Sequence, residues 1–127
     1  MVNRRTALAA CVGLLGALVT AASLRAQTAN HLQYLTFSGA VALPGVTLAA
    51  GSYSFEIADP NGTNSVVLVR DRASRKAMFM GLTNRIERPR GVEAGHVVLG
   101  EARRGEVPPI VAWYAPDEDT GRQFIYR

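Results

Sequence analysis

The chain has 127 residues, 48% of them apolar, a formal net charge of +4 and one cysteine. That length accommodates one ordinary domain, and a lone cysteine excludes an internal disulfide. The positive charge sits mostly at one end. Setting aside Arg4, Arg5 and Arg25 leaves 11 basic residues against 10 acidic ones, a net of +1, so the balance does not point to a nucleic-acid partner.

The first 26 residues read as an export signal. Arg4 and Arg5 precede an uncharged run rich in Ala, Leu, Val and Gly, which ends in Ser23-Leu24-Arg25-Ala26. A charged start, an apolar middle and small residues near a cut form the secretory pattern, which predicts a signal-peptide helix cleaved after Ala26. The run is also close to the roughly 20 residues that span a bilayer, so retention as an anchor is the alternative. Leu8-Ala9-Ala10-Cys11 has the form of a lipoprotein cleavage box, yet most of the apolar run follows Cys11 instead of preceding it. The mature domain is therefore expected at 27–127, without cysteine and without thiolate chemistry.

After residue 30 short β-type runs alternate with turn signals. The first run is 31–38, with Leu35 and Phe37 on one face. A short edge strand at 41–43 stops at Pro44, which cannot donate to a ladder. Pro44-Gly45 then turns, 46–48 crosses over the top, and Gly51 leads into the clearest strand, 52–58. There Tyr53, Phe55 and Ile57 point one way and Ser52, Ser54 and Glu56 the other. The two glycines of 45–51 are widely spaced and precede a strand, so they read as turn residues and not as a phosphate-cradling loop.

Asp59-Pro60-Asn61-Gly62 is dense in turn formers. The continuous apolar run 66–69 reads as a strand covered on both faces. Further strands are expected at 76–82, 96–102, 110–115 and 123–126. Between them lie connections at 83–95, 103–109 and 116–122. Seven or eight short strands without a crossover helix predict an all-β domain, a small antiparallel sandwich or flattened barrel. Its expected core is Phe37, Tyr53, Phe55, Ile57, Leu68, Phe79, Leu99, Trp113 and Phe124.

Phe37-Ser38-Gly39-Ala40-Val41, Leu43-Pro44-Gly45, Leu48 and Gly51-Ser52-Tyr53-Ser54-Phe55 follow the form FSGPV…PG…LPAGTYVF. Trp113-Tyr114-Ala115-Pro116, Gly121 and Phe124-Ile125-Tyr126 follow later. In these segments the chain resembles a group of uncharacterised small secreted bacterial all-β proteins. The resemblance covers most of 35–127 and departs at Ala49, where the group tends to have proline. It implies an exported all-β domain and carries over no active-site residues.

Candidates for chemistry are few. Asp117-Glu118-Asp119-Thr120-Gly121 resembles the start of a calcium loop, but Arg122 and Gln123 follow where a bidentate carboxylate is needed. His31 and His96 are the only histidines, too few with no cysteine for a metal site without distant carboxylates. No nucleophile elbow is present. No catalytic residue, metal or cofactor is therefore assigned. Two cationic groups remain: Arg70, Arg72, Arg75 and Lys76, then Arg85, Arg88 and Arg90. If their loops share one end of the fold, Arg72, Arg75, Lys76, Arg85, Arg88 and Arg90 form a surface for an anionic partner. The competing reading is a charged rim that keeps sheet edges apart. The expected role is non-enzymatic binding of an anionic cell-envelope component or another protein, in the periplasm or outside the cell. The alternative is a small hydrolase or a ligand-carrying barrel. An apolar cavity would favour the alternative, and a filled core the binding domain.

Overall fold

The computed structural model describes residues 30–127; the export segment expected at 1–26 lies outside them. Nine strands form: β1 (Gln33–Phe37), β2 (Val41–Leu43), β3 (Val46–Leu48), β4 (Gly51–Ile57), β5 (Val66–Asp71), β6 (Ala77–Glu87), β7 (His96–Leu99), β8 (Ile110–Tyr114) and β9 (Thr120–Phe124). Seven make one antiparallel sheet in the order β1-β4-β5-β6-β9-β8-β7, and β2 and β3 make a separate hairpin. Among the described residues no helix is long and apolar enough to cross a membrane.

The long strand β6 shapes the sheet. Residues 77–82 pair with β5, and residues 83–87 pair with β9. One strand thus serves two half-sheets, and the whole curls into a half-barrel with its core on the concave side. The expected seven or eight strands become nine, and one of them runs longer than expected, for local reasons. Residues 46–48 do not cross over but return as β3, because Gly45, at φ +76°, turns the chain in a conformation costly for other residues. Residues 83–87 are strand, not connection, because β9 starts at Thr120 and supplies their ladder partners.

Alternation decides what fills the interior. Phe55 and Ile57 from β4 face Val69 and Val67 of β5 across the ladder, and all four are buried. Phe55 meets Trp113 of β8 with ring centroids 5.7 Å apart, joining the two half-sheets through a tilted aromatic pair. Phe79 and Phe124 pack edge-on at 5.7 Å where β6 meets β9. Two expected core residues lie elsewhere. Leu99 sits at the end of edge strand β7 and is 45% exposed. Leu68 is buried, but it pairs with Glu56 and Met80 and so shares their outward face.

The hairpin β2–β3 covers one end of the half-barrel with Val41, Leu43 and Leu48. It is tied down by the Ala42 amide donating to the Pro108 carbonyl and by Tyr126, whose hydroxyl donates to the carbonyls of Ile110 (2.6 Å) and Ala42 (3.1 Å). Burial raises the Tyr126 phenol above its ordinary pKa. At the opposite end Asp59 holds the β4–β5 turn. Its carboxylate accepts from the Thr63 hydroxyl and from the Ser65 and Val66 amides, which lowers its pKa.

The two edges, β1 and β7, are joined by a side chain and not by a ladder. Gln33 of β1 donates to the Gly95 carbonyl just before β7 and accepts from the Trp113 indole at 2.8 Å. Elsewhere the fit is tight at Gly121, where a Cβ would stand 2.4 Å from ring carbons of Tyr114. Gly121→Ala is expected to lower stability by about 1–3 kcal/mol through overpacking, read as a drop in the urea midpoint.

Candidate functional site

The antiparallel ladder separates the two cationic groups. Arg72, Arg75 and Lys76 lie at or beside the start of β6, while Arg85, Arg88 and Arg90 lie at or beyond its far end. At about 3.3 Å per residue, the ten steps of β6 set these ends on the order of 30 Å apart. The condition for a single surface of these six cations, a shared end, is not met.

The far group is partly committed to the fold. Arg88 donates to the Val92 carbonyl at 2.7 Å and lies 3.6 Å from Asp119, which braces the β6–β7 connection. Arg85 and Arg90 are exposed. Next to them lies a buried network that the sequence did not disclose. Arg122 is fully buried. Its Nε donates to the Asn64 carbonyl at 2.9 Å, and both terminal nitrogens lie 3.1 Å from the Glu118 carboxylate. His31 Nε2 lies 3.4 Å from the same carboxylate. The ion pair as a whole ties three segments distant in sequence: the guanidinium reaches Asn64 and Glu118, and the Glu118 carboxylate reaches His31. The Asp117-Glu118-Asp119 cluster therefore spends its central carboxylate on an arginine. Among the described residues no group of His, Cys, Asp or Glu is placed to hold a metal ion. His96 pairs with Glu93 at 3.3 Å, both exposed.

The near group is arranged differently. On the outer face of β1, β4 and β5, Leu32, Tyr34, Ser54, Glu56, Arg70, Asp71, Arg72 and Arg75 line a depression of about 230 Å³. Strand pairing explains the assembly, since Tyr34, Ser54 and Arg70 stand in one row across three strands. Arg72 rests over the Tyr34 ring, 4.3 Å from its centroid, so the aromatic face fixes a cation at the rim. Arg75 reaches the depression from the β5–β6 turn, where its own φ is +62°.

The two acidic residues of the depression differ in availability. Asp71 is held by the turn, accepting from the Ser74 amide and hydroxyl, both at 2.8 Å, and these bonds lower its pKa. Glu56 lies 3.8 Å from Arg70 Nε, a loose pairing. That Nε is buried and has no hydrogen-bond partner. The depression thus has three guanidinium groups and an aromatic wall, a set that accepts oxyanions. The sequence already groups Arg70 with these cations. It does not add Tyr34 and Ser54, because only the register of β1 against β4 brings them beside Arg70.

The fold and this depression define an all-β domain with a packed interior and its charged chemistry on the outside of the sheet. Compared with known proteins, the chain matches no family model, no curated protein and no solved structure.

Proposed function

We infer that the protein is an exported, non-enzymatic binding domain that captures an anionic group of the cell envelope in the depression between Tyr34 and Arg75. The observation that carries this reading is the convergence of Arg70, Arg72 and Arg75 on one depression, against the two acidic residues Glu56 and Asp71. Three guanidiniums facing one depression, with Asp71 already committed to its turn, favour an oxyanion there. Two other features agree. The concave side is filled by Phe55, Ile57, Ile110 and Trp113, all fully buried, which favours a binding domain over a ligand-carrying barrel. The N-terminal pattern of Arg4-Arg5 and an apolar run supports export, in keeping with the secreted group that the chain resembles.

Calorimetric titration of the purified protein with glycerol phosphate at low ionic strength tests this reading. Binding is expected to weaken roughly tenfold or more in Arg72→Glu/Arg75→Glu and to fall with added salt. Arg85→Glu/Arg90→Glu, at the other end of β6, is expected to bind as the unaltered protein does. Absence of any salt-sensitive binding, or equal loss in both variants, refutes the assignment.

A further inference from the structure

The outer face that carries the arginine depression also carries an apolar strip. Glu56 pairs with Leu68 and Leu68 with Met80, while Val66 pairs with Leu82. Cross-strand partners share a face, so Val66, Leu68, Met80 and Leu82 lie together beside the depression. Met80 is 67% exposed and Leu82 62%. Leu32 and Tyr34, also exposed, flank the depression on the β1 side. Four of the eight exposed large apolar side chains among the described residues therefore occupy one face of β1-β4-β5-β6, with Arg70, Arg72, Arg75 and Lys76 along its border.

We propose that this face docks on an anionic phospholipid bilayer, with lipid phosphates at the arginines and Met80 and Leu82 in the acyl boundary. The proposal rests on the anion-binding reading above and names the source of the anion. The composition of the face selects that source. An acidic glycan or a soluble phosphate satisfies the arginines but gives Met80 and Leu82 no apolar partner. A bilayer surface offers phosphate and hydrocarbon within a few ångströms of each other. A neutral apolar partner leaves Arg72 and Arg75 without counter-charge, and a purely ionic one leaves the strip in water.

Sedimentation with lipid vesicles tests the proposal. The purified protein is expected to pellet with vesicles containing phosphatidylglycerol and to stay in solution with phosphatidylcholine alone. Met80→Asp/Leu82→Asp is expected to weaken vesicle binding roughly tenfold while leaving the affinity for soluble glycerol phosphate unchanged. Arg72→Glu/Arg75→Glu is expected to lose both. Circular dichroism confirms that each variant keeps its sheet, which is expected because all four side chains are on the surface. Binding of glycerol phosphate without binding of vesicles overturns the bilayer assignment and leaves the anion site standing. Vesicle binding indifferent to Met80→Asp/Leu82→Asp overturns it too. A concentration-dependent dimer abolished by Met80→Asp, with no vesicle binding, assigns the face to a second copy instead. Loss of glycerol phosphate binding from the start removes both readings.

Discussion

Glu118→Ala is expected to destabilise the fold by about 3–5 kcal/mol, because it leaves the fully buried Arg122 charge without its counter-ion. The remaining partners, the Asn64 carbonyl and the Thr120 hydroxyl, are neutral and do not balance a guanidinium in a dry site. Removing both charges is a different matter. In Glu118→Gln/Arg122→Met the methionine fills much of the arginine's apolar volume and no charge stays buried, so most of the loss is expected to return. Urea unfolding of the two single variants and the double variant gives the coupling directly. A Glu118→Ala penalty below about 0.5 kcal/mol, the range of ordinary surface changes, is incompatible with a buried pair that ties three segments.

The second large effect is expected at the joint between the sheet edges. Trp113→Ala removes the largest fully buried side chain and its contact with Phe55, at a cost of about 3–5 kcal/mol. The informative partner is Gln33→Leu. It keeps the volume but strands the Trp113 indole N–H, which donates to Gln33 at 2.8 Å, and about 1–3 kcal/mol is expected to be lost. Trp113 is the only tryptophan, so its fluorescence reports the site without interference. A red-shifted emission in folded Gln33→Leu marks water entering between β1 and β7. An unshifted spectrum with unchanged stability means that the edges are held apart from Gln33.

Much of the fold is legible in the sequence, for physical reasons that also explain the gaps. β4 reads cleanly because Tyr53, Phe55 and Ile57 alternate with polar residues along a half-buried strand. β5 reads as doubly covered, but only Val67 and Val69 face the core; Leu68, though buried, lies on the outer face between Glu56 and Met80. The second half of β6 is hidden because Asn84, Arg85 and Glu87 are exposed at the rim and mimic a polar connection. The start of β9 is hidden more deeply. Thr120-Gly121-Arg122 has the composition of a turn, and only Glu118, four residues earlier, makes burial of Arg122 tolerable. That i, i+4 pair between the apolar segments around Trp113 and Phe124 is the signal available to a sequence reader. Leu99 misleads in the opposite sense, being apolar in an edge strand. As for the candidate site, its arginines are visible in the sequence. Their partition between two ends of β6 is not, because it depends on strand order, a non-local property.

The division of β6 between two neighbours has a mechanical corollary. Its first six residues complete one half-sheet and its last five complete the other, so neither half owns a full set of strands. Fraying that begins at either border must stop at this common spine or undo both sides at once. The described domain is therefore expected to unfold as a single cooperative block, with Tyr34, Ser54 and Arg70 of the depression on the sheet itself.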